Sequence, residues 1–374
     1  MSGRGKSPAD ARLVDRRALG ARLAARLWRR ASAPPFWARA LGGLTGRVNR
    51  AVLARRVARR GAAPPGAPLV VSLGSLSVGG AGKTPIAADL AARLDGQGIH
   101  GAIALRGWGS RERGPRRVRA DDARAADEAR LLATAAPGWA VIQAADRAAG
   151  LAAALALEPA PRVVLLEDGH QSAGVWRHLD ILIVERWTQD AAGRMRPVAG
   201  PRLPWGPWRE GIEGARRAGV WLVEADAGVV PEEPAGDAEA RPGIRVLTFR
   251  RRAKVRGGSA LAADAAWGAV SGVARPEAFE ADCARLRGAP PALVVRHDDH
   301  HGYRERDVQR LLRDGAASGV AVWLTTAKDA VKLAALWPRQ APPLLTVELA
   351  IEWTGNATLP DLVGEWLARH EGRV

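Results

Sequence analysis

The stretch PLVVSLGSLSVGGAGKTP, residues 68–85, decides how this chain folds. Its first half is a short apolar run, typical of a strand buried on both faces of a parallel sheet. Gly79, Gly80 and Gly82 follow, and a helical pattern starts at Thr84. A glycine-rich turn between a strand and a helix N-terminus points backbone N–H groups at an anion. The sequence therefore predicts a phosphate-binding loop, with nucleotide contacts from Ser77, Val78, Gly79, Gly80, Ala81, Gly82, Lys83 and Thr84.

Two side chains of this loop have specific predicted roles. Lys83 is placed to reach the β- and γ-phosphates of a nucleotide, and the Thr84 hydroxyl is placed to ligate Mg²⁺. Only five of the 56 basic residues are Lys, so a Lys at this position is informative. The loop departs from the usual pattern at Ser77, where most phosphate loops have glycine.

A carboxylate pair follows another apolar run, VVLLED at 163–168. Acidic residues at the tip of a strand beside a phosphate loop hold Mg²⁺ directly or through water. We therefore predict a metal site formed by Thr84, Glu167 and Asp168. The alternative is an ordinary carboxylate at a strand end.

The rest of the chain alternates between predicted strands and helices, which favours an α/β fold with a parallel sheet. Strands are predicted at 68–76, 100–105, 139–144, 162–168, 180–185, 219–225, 244–249, 267–272, 292–297 and 321–326. Helices are predicted at 84–94, 122–135, 146–156 and 359–370. We assign a P-loop NTPase-like domain to 66–196 and a second, smaller α/β domain to 197–354, with segment 355–374 a candidate to return to the first domain.

The N-terminal part is rich in Arg and Ala. Residues 1–35 are predicted to be a basic extension, either a solvated tail or a helix with Leu19, Leu23 and Leu27 on one side. Segment 36–65 is predicted to be an amphipathic helix and linker. Its apolar residues recur every three or four positions between arginines, which is typical of a helix lying on a bilayer surface. The alternative is a helix packed on the domain with a basic outer face. The apolar residues are Trp37, Leu41, Leu44, Val48 and Val52.

Composition limits the classes of partner. The formal net charge of +17 and a pI near 11.3 indicate an acidic partner such as anionic lipid, nucleic acid or a phosphorylated substrate. Hydrophobic residues make up 47% of the chain, enough for buried cores. The single cysteine, Cys283, excludes a disulfide within the chain. We find neither a run of about 18 apolar residues nor a secretory signal pattern.

Seven further islands, taken with the loop SVGGAGKTP (77–85), resemble the tetraacyldisaccharide 4′-kinase family, whose members phosphorylate the lipid A disaccharide. Each island is weak alone, but all occur in the family's order. The islands are LRGWG (105–109), ADEARLLA (126–133), LEDGHQ (166–171), GPWREG (206–211), SGVARPEAF (271–279), DDHHGY (298–303) and TTAKDAVKL (325–333). The chain departs from the family's motifs at Ala129, Glu167, Ser172 and Ala327.

The resemblance implies a catalytic pair. Asp127 becomes the general base for the sugar hydroxyl, and His300 becomes its partner. From the residues alone, the simpler interpretation of Asp127 is a helix N-terminal acid favoured by the helix dipole. A transition-metal site is the alternative for the cluster His297–His301, although no second His cluster completes it. By resemblance, Lys328 and Asp329 shape the site.

Three further residues are candidates for substrate contacts. Arg209 and Arg275 suit bidentate phosphate binding, and His301 is assigned either to substrate or to packing.

The resemblance implies an ATP- and Mg²⁺-dependent kinase acting on the 4′-hydroxyl of the lipid A disaccharide 1-phosphate. We expect a peripheral or monotopic protein at the membrane surface, on the cytoplasmic face of the bacterial inner membrane. Nucleic acid is not expected as a partner, and an oligomer is not required.

Two rival functions remain at this level. A P-loop GTPase or ATPase switch is disfavoured because Val78 stands where partitioning ATPases carry a signature Lys, and because no N-K-x-D motif occurs. A basic nucleic-acid-binding protein lacks a recognisable binding motif.

Overall fold

The structure is a computed structural model that describes most of the chain. The described residues are 12–18, 36–172, 174–189, 191, 195–198, 200–203, 205–225, 244–256 and 265–372. Most of the predicted extension 1–35 therefore lies outside the described residues, including Leu19, Leu23 and Leu27. Within that extension, Arg12–Asp15 forms strand β1, so this part is not the solvated tail that the composition suggested.

The chain forms two compact units. The phosphate-loop unit comprises residues 25–251 and 351–374, and the DDHH unit comprises residues 1–24 and 252–350. These ranges differ from the predicted domains 66–196 and 197–354, which stay a prediction. The chain passes from one unit to the other within strands β11 (Arg245–Val255) and β15 (Leu344–Trp353).

The phosphate-loop unit contains a mostly parallel sheet, as the apolar runs predict. Its strands lie in the order β11-β10-β7-β2-β6-β3-β5-β4, and only β4 is antiparallel to its neighbour. Strands β8 and β9 form a separate hairpin. The strands are β2 (Leu69–Ser75), β3 (Gly101–Leu105), β4 (Arg116–Val118), β5 (Ala140–Gln143), β6 (Val163–Glu167), β7 (Leu179–Val184), β8 (Trp187–Gln189), β9 (Met195–Pro197) and β10 (Val220–Glu224).

Helices cover both faces of this sheet. Val71, Leu73 and Leu165 face a core shared with the helices that follow β2 and β4 and with the C-terminal helix. Val70 and Val164 face the opposite core, which contains the helix after β5. Because alternate strand residues are buried on opposite faces, the strands read as nearly continuous apolar runs.

The helices of this unit lie where the sequence predicts them, except that one helix starts later than predicted. The helix predicted at 122–135 begins at Asp127, because turns occupy residues 119–125 and the extended backbone of Ala126 donates its N–H to Gln143 Oε1 at 2.8 Å. The helices are α1 (Phe36–Ala58), α2 (Lys83–Gly96), α3 (Asp127–Ala135), α4 (Arg147–Leu155) and, at the C-terminus, α8 (Leu359–Glu371).

The DDHH unit is a smaller parallel arrangement of strands in the order β1-β13-β12-β14-β15. Its core is built around the buried side chains of Trp267, Trp323 and Leu324. The remaining elements are β12 (Trp267–Ser271), α5 (Pro276–Arg287), β13 (Leu293–Arg296), α6 (Glu305–Ala317), β14 (Val322–Thr326) and α7 (Ala327–Leu333).

Helix α1 packs on the phosphate-loop unit by a face that the apolar periodicity did not predict. Gly46 and Leu53 are buried, and Gly46 lies so close to Arg202 that a Cβ there would clash with the guanidinium. The Asn49 side chain donates to the carbonyl of Arg209 at 3.0 Å. Val48 and Val52 are instead 57% and 39% exposed.

None of the helices in the described part of the chain combines the length and apolar character that crossing a bilayer requires.

The centre of the sheet requires glycine at position 74. A Cβ at Gly74 would clash with the Cβ of His170 and lie 2.9 Å from its backbone nitrogen. His170 is fully buried, and its Nε2 lies 3.0 Å from the carbonyl of Gly214, to which a neutral ring donates. Burial lowers the pKa of His170 to about 4, and the nearby charge of Arg217 acts in the same direction.

We predict that Gly74→Ala lowers the free energy of unfolding by about 1–3 kcal/mol, because the methyl group overpacks the contact with His170. The measurement is the shift of the urea unfolding midpoint. Gly364→Ala is the matched control, since nothing lies within 4 Å of a Cβ at that position in α8. We expect the control to be neutral or stabilising. A Gly74→Ala variant as stable as the control would contradict the contact.

We also predict that His170 makes stability depend on pH. Its pKa in the folded state, about 4, lies below the unfolded value of 6.5, so the unfolded chain binds more protons between these values. Above pH 6.5 the ring is neutral in both states, and its contribution to the free energy of unfolding is fully present. As the pH falls from 6.5 toward 4, the free energy of unfolding decreases by up to about 1.4 kcal/mol per pH unit. The free energy of unfolding is measured at several pH values in this range. It should change less with pH for His170→Gln than for the wild type. Equal slopes would show that His170 takes no part.

Candidate active site

The predicted phosphate loop lies between the carboxyl end of β2 and the N-terminus of α2. Gly79, Gly80 and Gly82 have φ values of 65°, 70° and 80°, which non-glycine residues rarely adopt. Gly82 is the N-cap of α2 and has no side chain to cap the helix. The backbone therefore curves around the first turn of a helix whose N–H groups and dipole favour an anion.

Lys83 lies among groups that keep its ammonium in the loop. Its Nζ donates to Ser75 Oγ at 3.2 Å and lies 3.4 Å from Asp168 Oδ1. Only a tenth of the Lys83 side chain is exposed. A nearly buried ammonium beside a glycine-rich turn is suited to neutralise charge on phosphate oxygens.

The carboxylate of Glu167 lies beside this loop because β6 pairs with β2, with Leu73 opposite Glu167. Glu167 Oε1 lies 3.5 Å from the Thr84 hydroxyl. Burial, and then the charge of Asp168, raises the pKa of Glu167 to about 7. Thr84, Glu167 and Asp168 thus bring hard oxygen donors to one edge of the sheet.

Asp168 is held by two cations. Arg209 donates to its two carboxylate oxygens at 3.0 and 2.9 Å, and Lys83 is the second cation. Burial alone would raise the pKa of Asp168, but the charges of Lys83 and Arg209 outweigh it, and the pKa lies below its ordinary value. Asp168 also has a positive φ of 55°, a conformation that costs energy and often marks functional sites.

Two residues without a predicted role support this cluster. Arg147 is buried and donates to the backbone carbonyls of Ala104 and Asp168, each at 3.0 Å. Gln171 accepts from Arg209 at 2.8 Å and donates to the carbonyl of Ser75, also at 2.8 Å. The sequence feature that could have identified them is their position, because each residue follows the carboxyl end of a strand in the sheet.

The segment around Arg209 also pairs with the start of the phosphate loop. The N–H of Arg209 donates to the carbonyl of Leu76 at 2.8 Å, and the N–H of Val78 donates to the carbonyl of Pro207 at 2.7 Å. The Ser77 hydroxyl donates to Glu185. Ser77, where most phosphate loops have glycine, thus anchors the loop through its side chain.

Asp127 is the first residue of α3 and belongs to the same unit as the phosphate loop. The neighbouring Glu128 contributes to the raised pKa of Glu167, so the start of α3 is electrostatically linked to the acidic pair. Gln143, on β5, fixes the helix start through the N–H of Ala126 at 2.8 Å.

His300 lies in the loop after β13, in the DDHH unit. Its φ is 61°, and its N–H donates to Asp299 Oδ1 at 3.1 Å. Lys328 Nζ lies 3.1 Å from His300 Nε2 and 2.9 Å from Asp299 Oδ1. The sequence motif therefore folds into a compact group of a lysine, a histidine and a carboxylate.

His301 has a different environment from His300. Its ring stacks on that of His297, with centroids 4.3 Å apart, and its Nε2 lies 3.5 Å from Asp307 Oδ2. Burial, and then the charge of His301, lowers the pKa of His297 to about 4. His297 is buried in the unit, whereas His301 remains partly accessible.

Asp329 joins three of the sequence islands within this unit. Its Oδ2 accepts from the N–H of Gly272 at 2.9 Å and from the Thr326 hydroxyl at 2.8 Å. A Cβ at Gly272 would lie 2.9 Å from the carbonyl of Asp298 and 3.2 Å from Asp329 Oδ1, so the loops after β12 and β13 pack tightly against the start of α7. Arg275 follows on the same loop and is the N-cap residue of α5.

The alternative metal site at the His/Asp cluster gains no support. Among the described residues, no three His, Cys, Asp or Glu side chains come together as a metal-binding group. The structure thus brings together Lys83, Thr84, Glu167, Asp168 and Arg209 within one unit, and His300 with Lys328 in the other. The pairing of Asp127 with His300 stays a prediction.

Comparison with known proteins agrees with the motifs. The family model described as tetraacyldisaccharide-1-P 4′-kinase (LpxK) matches residues 39–367. A tetraacyldisaccharide 4′-kinase from Gluconacetobacter diazotrophicus is 35% identical over 349 residues, covering 90% of this chain and 98% of the relative. One from Anaeromyxobacter dehalogenans is 38% identical over 291 residues, covering 73% of this chain and 74% of the relative.

A solved structure shares the fold. LpxK from Aquifex aeolicus, described as an "apo" form in complex with ATP, superposes with a TM-score of 0.60 at 21% identity and covers 93% of this chain and 99% of its own. This confirms the predicted α/β fold class. On the match over residues 39–367 and on relatives of 35% and 38% identity, the chain belongs to the tetraacyldisaccharide 4′-kinase family.

Proposed function

We propose that this chain transfers the γ-phosphoryl group of ATP to the 4′-hydroxyl of tetraacyldisaccharide 1-phosphate, a step of lipid A biosynthesis. The observation that carries the proposal is the placement of Lys83 in a glycine-rich loop, 3.4 Å from Asp168. Membership of the family makes the chain a phosphotransferase with an alcohol acceptor.

The loop is proposed to bind the triphosphate of ATP. Its N–H groups and the N-terminus of α2 orient the phosphates, and Lys83 neutralises charge on the β- and γ-oxygens. The ATP named for the Aquifex relative supports this choice of nucleotide.

Mg²⁺ is proposed to bind at Thr84, Glu167 and Asp168. These are all oxygen donors, as Mg²⁺ prefers, and one or two carboxylates with a Thr hydroxyl are usual at nucleotide sites. The Thr84 hydroxyl 3.5 Å from Glu167 fits such a shared ligand set. When bound, the ion neutralises charge on the phosphates.

Asp127 is proposed to accept the proton of the 4′-hydroxyl. As the new bond forms between the 4′-oxygen and the γ-phosphorus, the bond from phosphorus to the β,γ-bridging oxygen breaks, and ADP carries the electron pair away. His300 is proposed to hold Asp127 in register.

Three residues are proposed to contact phosphate groups of the substrates. Arg209 lies beside Asp168 and is therefore assigned to the transferred phosphoryl group. Arg275 and His301, in the other unit, are assigned to the 1-phosphate of the disaccharide. Arg matches phosphate through two parallel N–H donors, which favours this role.

The acyl chains of the substrate are proposed to remain in the membrane. Helix α1 is proposed to lie on the membrane surface. Val48 and Val52 are exposed, and neighbouring exposed arginines suit anionic headgroups. Because ATP is available in the cytoplasm, we propose the cytoplasmic face of the bacterial inner membrane.

We predict that Lys83→Ala and Asp127→Ala each abolish formation of the 4′-phosphate, since they remove charge neutralisation and the base. The assay combines purified protein, Mg-ATP and the disaccharide 1-phosphate in detergent, with the product detected by mass spectrometry. Lys254→Ala is the matched control, an exposed Lys on β11. Circular dichroism verifies the fold of each variant. Near-normal turnover in both site variants would refute the assigned roles.

We predict that the double variant Val48→Asp, Val52→Asp weakens sedimentation with vesicles containing anionic lipid, at least tenfold, while nucleotide binding in lipid-free solution is unchanged. The introduced charges oppose insertion of the exposed apolar stripe. Leu286→Asp serves as control, since it is 40% exposed on α5. If both variants bind vesicles equally well, α1 is not the membrane contact.

A further inference from the structure

We propose that Lys328 is a positioning residue that fixes the tautomer of His300, with Nε2 as hydrogen-bond acceptor and the ring proton on Nδ1. The tautomer follows from contacts within the DDHH unit alone. Its catalytic consequence rests on the proposed function.

The chemistry of the two contacting groups decides the tautomer. Lys328 Nζ lies 3.1 Å from His300 Nε2. An ammonium has three donors and no acceptor, so a hydrogen bond at this distance requires a lone pair on Nε2. An imidazolium has no such lone pair. The nearest carboxylate oxygen of Asp299, Oδ2, lies 3.8 Å from Nε2, too far to accept a hydrogen bond from it. The contact with Lys328 therefore selects the neutral ring with its proton on Nδ1.

Asp299 keeps Lys328 in place and charged. The same Nζ lies 2.9 Å from Asp299 Oδ1, and only 19% of the Lys328 side chain is exposed. A carboxylate at this distance favours the ammonium form. The donor to His300 is therefore a fixed cation and not a freely rotating surface Lys.

The backbone around both residues is also constrained. His300 has a φ of 61°, and its N–H is held by the same Asp299 at 3.1 Å. Residue 329, next to Lys328, is buried and bonded to Thr326 and to the N–H of Gly272. A left-handed conformation in a non-glycine residue persists only where its surroundings impose it.

The tautomer matters for the proposed base. In the proposed function His300 is the partner of a carboxylate base, and such a partner must have an N–H donor for the carboxylate. A neutral ring with its proton on Nδ1 has that donor, whereas the opposite tautomer leaves a lone pair on Nδ1, which cannot donate. Loss of the correct tautomer in histidine–carboxylate pairs lowers turnover strongly.

The test is the tautomer itself, measured by ¹⁵N NMR on full-length protein with labelled histidine and no substrate. His300→Gln assigns the signal by its disappearance. We expect wild-type Nε2 to have the shift of an unprotonated nitrogen and Nδ1 that of a protonated one. Lys328→Met should shift the equilibrium toward the Nε2-protonated form, and Lys328→Arg should restore the wild-type pattern. Lys254→Met, which removes an exposed Lys elsewhere in the DDHH unit, should leave the tautomer unchanged.

A wild-type ring protonated on Nε2, or an identical tautomer in Lys328→Met, overturns the proposal. Kinase assays form the second arm: Lys328→Met should lower kcat about ten- to a hundredfold with little change in KM for ATP. A changed tautomer with unchanged kcat would overturn the catalytic consequence. Wild-type protein that makes no 4′-phosphate yet shows the expected tautomer would count against the proposed function alone.

Discussion

The site depends on one buried carboxylate held between two cations. Asp168 lies against Lys83 and is bonded through both oxygens to Arg209. A buried carboxylate without such partners would be neutral or would destabilise the fold. The attraction of each cation to the carboxylate also offsets the repulsion between the two cations. The phosphate loop, the strand with the acidic pair and the segment carrying Arg209 are therefore held together by one balance of charge.

The same balance of charge explains why Lys83 and Arg209 both lie beside the phosphate loop. A triphosphate brings several negative charges, and a Mg²⁺ ion brings two positive ones. Arg209 is a counter-charge for Asp168 in the structure, and its N–H donates to the carbonyl of Leu76 at the start of the phosphate loop. The bond from Asn49 to the carbonyl of Arg209 ties helix α1 to the same segment. The helix proposed to lie on the membrane and the residue proposed to meet the phosphoryl group are thus adjacent.

Much of the phosphate-loop unit could be predicted because its signals are local. Fully buried strands such as β2 and β6 are visible in the sequence as apolar runs. Gly79, Gly80 and Gly82 mark the phosphate loop because it needs backbone conformations with positive φ. Strand β15 escaped prediction because Glu348 and Glu352 interrupt its apolar pattern on a partly exposed face. The start of α3 at Asp127 depends on Gln143, which is distant in sequence.

The side-chain partners in the site were less predictable, since they are set by tertiary packing. Arg209 was predicted for substrate phosphate, and its bond to Asp168 arises because its segment pairs with the start of the phosphate loop. The inner face of α1 was missed because, apart from Leu53, it is formed by Gly46 and Asn49, which carry no hydrophobic signal. Lys328 was assigned only to the shape of the site. Its contact with His300 joins the start of α7 to a loop 28 residues earlier in the sequence.

The most direct test of phosphoryl transfer to the sugar is the stereochemistry at the γ-phosphorus. ATP made chiral there with oxygen isotopes is incubated with the protein and the disaccharide 1-phosphate, and the configuration of the product is read by ³¹P NMR. A single in-line transfer assisted by Asp127 predicts a 4′-phosphate with inverted configuration. Retention would indicate a covalent phospho-enzyme, and release of the label as inorganic phosphate would indicate a hydrolase. Either result would contradict the account.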